Sequence, residues 1–199
     1  KDAAESLGVP HPEIDALTVN GRPRDFSYRL ADGDTIDMYP RERNKTLLPD
    51  THLQPPHPPE KKFILDVHLG KLARYLRLLG FDVLYRNDLE DPEIVTLAEK
   101  EDRIILTRDV GLLKHGKVCR GRWIRSWVPR EQLKQIIAAF ALGDAMRPLS
   151  RCLACGAGLS VVEKEKVAEV LPPRVRKHFS LFYQRSEEHT SELQSLLII

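Results

Sequence analysis

Two short apolar runs in this chain each end in an aspartate: Phe63-Ile64-Leu65-Asp66 and Arg103-Ile104-Ile105-Leu106-Thr107-Arg108-Asp109. Carboxylates at the ends of buried strands are the residues this sequence offers for holding a hard divalent cation, because oxygen ligands suit Mg²⁺ and Mn²⁺. Such a cation supplies what phosphodiester hydrolysis needs, an activated water and neutralised phosphate charge. Asp66 and Asp109 are the best placed ligands. Asp91, opening the helix between the two runs, can point into the same crevice. Asp88 and Glu93 are lesser neighbours, and Asp82 reads as a turn residue. The competing reading of all these aspartates is that they cap helices and form turns.

The elements that would place them follow from local pattern. β-branched-rich runs followed at once by helical periodicity read as buried parallel strands of an α/β sheet. In open sheets of that kind the ligand crevice lies outside the carboxyl ends of the strands. After Asp66, Leu69, Leu72, Ala73, Leu76 and Leu79 keep helical spacing, with Lys71, Arg74 and Arg77 opposite and Gly80 as the stop. Asp82–Tyr85 is a second strand, Asp91-Pro92 starts a helix with Asp91 as its cap, and Ile104–Leu106 is the third strand. A short helix from Gly111 to Leu113, a fourth strand over Trp123–Trp127 and a helix over Glu131–Leu142 complete a mainly parallel, right-handed β-α-β order.

Composition bounds the alternatives. The 31 basic and 29 acidic residues among 199 leave a net charge of only +2, so no global case exists for a polyanion partner. The distribution is uneven: from Gly111 to Arg130 there is no acidic residue, while Lys114, Lys117, Arg120, Arg122, Arg125 and Arg130 fall there. Lys71, Arg74, Arg77, Arg108 and Lys114 are therefore the candidate contacts to a nucleic-acid backbone, with a solvated basic face as the alternative. Trp123 and Trp127 can stack on bases, but the preferred reading is that both are core residues. No stretch is long and apolar enough to span a bilayer, and no signal-like segment follows Lys1, so the expected setting is cytoplasmic. Lys1 lies within a helical pattern, as if the chain began mid-domain.

The segment FILDVHLGKLARYLRLLGFDVLYRND, with DPEIVTLAEKEDRIILTRDVGLLK after it, resembles the Mut-seven C-terminal RNase domain family, PIN-like proteins of the PilT N-terminus type. The resemblance implies a PIN-like three-layer α/β/α fold over residues 61–147 and a metal-dependent RNase acting on RNA. By motif it implies catalytic and Mg²⁺- or Mn²⁺-binding roles for Asp66, Asp91 and Asp109. The acid that the family carries on a middle helix has no match here, which favours the alternative of a non-catalytic RNA- or ribosome-binding adaptor.

Flanking segments fit the same resemblance. Val19-Asn20-Gly21, Leu30, Asp32-Gly33-Asp34 and Ile36 resemble the ubiquitin-like β-grasp fused to this family. That gives a partial β-grasp over 1–40, lacking its first hairpin and suited to docking a protein or RNA, and a linker over 41–60. Sulfur-carrier chemistry is argued against, since the unit runs on through Tyr39-Pro40 instead of ending in Gly-Gly. Cys152-Leu153-Ala154-Cys155-Gly156 has the form of one zinc-ribbon knuckle, so residues 148–184 are expected to be a truncated ribbon whose structural Zn²⁺ site is incomplete. Cys119 reads as a small buried residue. RSEEHTSELQS, from Arg185 to Ser195, matches the translation of a sequencing-library adapter. Residues 185–199 are accordingly expected to be an artefact, with the natural chain ending near Gln184.

Overall fold

The computed structural model describes residues 1–47, 51–169, 171–185 and 196–198. Near the start, the hairpin of β1 (Ala16–Val19) and β2 (Arg22–Arg24) turns at Asn20-Gly21, both at positive φ (51° and 72°). An Asn-Gly pair with two left-handed residues is the turn whose twist matches the strands. Helix α1 (Asp2–Ser6) precedes the hairpin, and β3 (Ile36–Tyr39) joins β1 on its other side, antiparallel.

The segment expected to be a linker is not one. Arg41–Leu47 form helix α2, and the segment is tied to the first unit through the buried Asp15. Its carboxylate takes Arg41 Nη2 at 2.8 Å and Asn44 Nδ2 at 2.7 Å, with His52 Nδ1 at 2.8 Å. A buried carboxylate needs such partners, and a Pro- and Arg-rich composition does not show that the partners lie just downstream.

The central unit is a four-stranded, wholly parallel sheet of β4 (Lys62–Leu65), β5 (Asp82–Leu84), β6 (Ile104–Thr107) and β7 (Gly121–Trp123), in the order β5-β4-β6-β7. Alternation along the strands sorts the core into two layers. Phe63, Leu65, Val83, Ile104 and Leu106 pack on α3 (Gly70–Leu78) and α6 (Pro129–Phe140). Ile64, Leu84 and Ile105 face α4 (Asp91–Glu101) and α5 (Val110–Leu113). The result is a three-layer α/β/α domain, as expected for a PIN-like fold. β7 begins earlier than the sequence implies and stops at Trp123. Gly121 allows this, since a Cβ there would meet Leu113 Cδ2 at 2.5 Å. Trp127 consequently stands in a loop, 80% exposed, and is not a core residue.

A further antiparallel sheet, in the order β10-β9-β8, is built from β8 (Leu159–Val162), β9 (Phe182–Arg185) and β10 (Leu196–Ile198). β10 and Arg185 belong to the stretch read as adapter-derived; residues 186–195 and 199 lie outside the described residues. Short helices α7 (Lys164–Val167) and α8 (Pro173–His178) connect β8 and β9.

The N-terminal unit sits against β7 and α5. His11 Nε2 lies 2.8 Å from Val118 O, Glu13 accepts from Trp123 N–H at 2.8 Å and pairs with Arg125 at 2.7 Å, and Arg122 reaches Glu42 at 3.1 Å. Between the units His57 packs its ring on Phe140. Burial, followed by the charges of Arg41, Lys61 and Arg120, pushes its pKa down to about 4. The folded chain therefore holds His57 neutral, and stability present above the unfolded value near 6.5 is lost as the pH falls from there toward 4. Replacing His57 with Gln is expected to remove about 1–2 kcal/mol of acid sensitivity across that window, after allowance for partial solvent access, measured by urea unfolding at stepped pH.

Candidate active site

Strand β4 leads through α3 to β5 on one side, whereas the chain returning through α4 adds β6 on the other side of β4. Crossovers of one hand then leave α3 and α4 on opposite faces and open a crevice between the carboxyl ends of β4 and β6. Asp66 follows β4 and Asp109 follows β6, so both emerge at that switch point.

Asp66 is 5% exposed, and its carboxylate is held on three sides. Oδ1 accepts from His68 N–H at 2.9 Å, which also caps the 3₁₀ turn Val67–Leu69. Oδ2 accepts from Arg108 N–H at 2.8 Å and from the hydroxyl of Thr107. That hydroxyl in turn accepts the Asp109 N–H at 2.8 Å. Thr107 is fully buried and links the two aspartates. Sequence reasoning missed it, although a Thr as the last residue of an apolar strand, two positions before the Asp, is a readable signal.

Asp109 is exposed, and its Oδ1 caps α5 by accepting Gly111 N–H at 2.6 Å. The capping reading thus holds for Asp66 and Asp109 alongside any site role. It fails for Asp91. That residue lies within the first turn of α4, whose cap is Glu90, and its side chain makes no cap hydrogen bond. The Asp91 pKa is raised, by desolvation first and then by the charges of Asp109 and Asp66, so the three carboxylates share one field. None of the three has an ion-pair partner among the described residues. By contrast Asp82 pairs with Arg103 at 2.7 Å, while Asp88 and Glu93 are paired with Arg86. Among the described residues no group of three or more His, Cys, Asp or Glu side chains is arranged to hold a metal ion. The aspartates therefore fit a hard cation by donor type and mutual charge, and not as a closed chelate.

The basic candidates separate into three groups. Lys71 and Arg74 are exposed on α3, the helix that follows Asp66 and its 3₁₀ turn. Arg108 lays its guanidinium over the Trp127 ring. Arg77 and Lys114 are not available to a nucleic acid. Arg77 is 3% exposed, and donates to Val83 O at 3.0 Å and Ala154 O at 2.6 Å, tying β5 to the cysteine knuckle. Lys114 donates to Glu5 O at 2.6 Å in the other unit. At the knuckle, Cys152 is buried and Cys155 exposed. Burial works to raise the Cys152 thiol, but the backbone N–H groups of Cys155 and Ala154 and the charge of Arg185 bring it below its ordinary value. Two sulfurs do not make a tetrahedral zinc site, and Arg185 Nη1 stands 3.8 Å from Cys155 Sγ. Cys119, expected to be buried, is exposed.

Residues 61–187 match the Mut7-C RNAse domain model, and residues 1–46 match the Mut7-C ubiquitin model. This chain belongs to the Mut7-C RNAse domain family. No curated protein and no solved structure gives a match. The Mut7-C ubiquitin match takes in all of α2 but Leu47, in line with the anchoring of that helix to Asp15. No helix among the described residues is long and apolar enough to cross a membrane.

Two outcomes follow from this geometry. Thr107→Val leaves the Asp109 N–H without its acceptor and Asp66 Oδ2 with one donor fewer, and is expected to cost about 2 kcal/mol in urea unfolding. In carbon-detected NMR titrations Asp91 should titrate above an ordinary aspartate and return toward it in Asp109→Asn. Because the folded value is the higher one, ionising Asp91 disfavours the fold as the pH rises through that range. Added Mn²⁺-free Mg²⁺ should move the midpoint down if the carboxylates share a cation.

Proposed function

We propose that this Mut7-C protein is a metal-dependent ribonuclease that hydrolyses RNA phosphodiester bonds in the crevice between β4 and β6. The single observation that supports this reading is the placement of Asp66 and Asp109 just past the carboxyl ends of adjacent β4 and β6, joined through Thr107, with Asp91 opening α4 and no ion pair to any of the three among the described residues. Such a concentration of unpaired negative charge favours a divalent cation.

Asp91 and Asp109 would supply outward-facing oxygens to Mg²⁺ or Mn²⁺, with Asp66 behind them. Mg²⁺ ordinarily takes only one or two carboxylates and completes its shell with waters and substrate phosphate, so a closed protein chelate is not required. When bound, the cation lowers the pKa of a water and neutralises phosphate charge. The chain's own part is positional. Thr107 and the Arg108 N–H fix the Asp66 carboxylate, and the Asp109 N–H is fixed through the same hydroxyl. The Arg108 guanidinium, carried by the residue between Thr107 and Asp109 and hydrogen-bonded to none of the carboxylates, would be the cation to meet a phosphate oxygen, with Lys71 and Arg74 along α3 to follow the backbone.

A second reading, a non-catalytic RNA- or ribosome-binding adaptor docking through the β-grasp unit, is favoured by the absence of a ready three-ligand cluster among the described residues. Mn²⁺ titration against a panel of RNAs separates the two. The wild-type chain should cleave in proportion to Mn²⁺ occupancy, and Asp109→Asn, at an exposed position, should fold normally and lose turnover to background. RNA binding indifferent to Mn²⁺, with no products, supports the adaptor; undiminished cleavage by both Asp66→Asn and Asp109→Asn overturns the assignment.

A further inference from the structure

Trp127 is the most exposed large hydrophobic residue among those described, at 80%, and it carries on its ring the guanidinium of Arg108, the residue next to Asp109 in the chain. A solvated indole forfeits the burial that normally repays its presence. Its position is nevertheless well defined. Ser126 O accepts from the side chain of Gln132 at 2.9 Å, Ser126 Oγ accepts from Val128 N–H at 3.1 Å, and Pro129 then starts α6. Gln132 is itself buried. The loop thus presents the ring instead of leaving it to move freely.

One face of the ring is covered by the Arg108 guanidinium. Arg108 is covalently next to Asp109, and its N–H holds Asp66. The guanidinium makes no hydrogen bond or ion pair among the described residues, and its Nε is buried without a partner. A cation without a hydrogen-bonding partner and an open aromatic face therefore meet at the same residue whose backbone N–H holds Asp66. An unpaired nucleotide has the complementary form: a flat base to stack on the indole and a phosphate to meet the guanidinium. A base inside a duplex has both faces occupied and cannot enter this stack.

We propose that Arg108 and Trp127 form a base-stacking subsite that selects single-stranded RNA at this crevice, an inference that rests on the ribonuclease reading for its substrate but not for its test. The chain has two tryptophans, so Trp123→Phe, which keeps the backbone contact to Glu13, leaves Trp127 as the single indole emitter. Titration of that full-length variant in EDTA with a single-stranded oligouridylate is expected to quench the emission to saturation. The oligouridylate–oligoadenylate duplex should bind more weakly and leave emission unchanged. Trp127→Ala should weaken single-strand binding about tenfold, while Trp127→Phe should retain most of it. With Mn²⁺ present, Trp127→Ala should raise the half-saturating RNA concentration more than it lowers turnover at saturation. Unquenched emission, or Trp127→Ala binding the single strand as tightly as wild type, would overturn the subsite and leave the exposed ring to a protein partner. Quenching without cleavage would keep the subsite and remove the hydrolase reading, so the two failures are distinct.

Discussion

A carboxylate that is 5% exposed at the end of a parallel strand cannot stand alone. Asp66 is tolerated because two elements converge on it: its own 3₁₀ turn gives one N–H, and the end of β6 gives another N–H and a hydroxyl. The two donors from β6 exist only if β4 and β6 lie side by side in the observed register, Leu65 against Leu106. Strand order, crevice position and the direction of Asp109 are thus joined through one buried group. The hydroxyl that satisfies Asp66 is the same one that receives the Asp109 N–H, so the two aspartates are set relative to each other by a shared partner and not by independent turns.

The uneven charge along the chain has a structural destination. The stretch from Gly111 to Arg130, without an acid of its own, meets acids of the N-terminal unit. Glu13 pairs with Arg125 and Arg122, Glu42 with Arg122, and the Glu5 carbonyl with Lys114. Much of what reads as a polyanion-binding surface is instead an internal interface. What stays exposed without an acidic partner among the described residues is smaller and includes Lys71 and Arg74 on α3 and Arg130 at the start of α6, while the Arg108 guanidinium lies over Trp127.

This contrast shows what was legible beforehand. The β-branched runs, their terminal aspartates and the Asn-Gly hairpin are local signals, and the strands, the crevice and the turn follow from them. Arg77 misled because Lys71, Arg74 and Arg77 are three apart. At 3.6 residues per turn such a row drifts, and Arg77 ends about 120° around from Lys71, at the border of the buried face. The Glu13–Trp123 contact joins residues 110 positions apart, beyond the reach of any periodicity. Trp127 was read by hydrophobicity, whereas its exposure is decided by where β7 stops. Thr107 was passed over because a hydroxyl in a β-branched strand is indistinguishable by pattern from an ordinary strand former.

The parallel sheet has two margins, and each is closed by a charged side chain of opposite sign. Along β5 the outer carbonyl of Val83 is occupied by the Arg77 guanidinium, from within the same unit. Along β7 the outer amide of Trp123 is occupied by the Glu13 carboxylate, which belongs to the other unit. Unpaired strand margins recruit further strands. The ubiquitin-like unit therefore also serves as the cover of its neighbour's sheet: a Mut7-C RNAse domain excised without it would leave the outer amide of Trp123 on β7 without its partner, while the β5 margin would stay covered by Arg77.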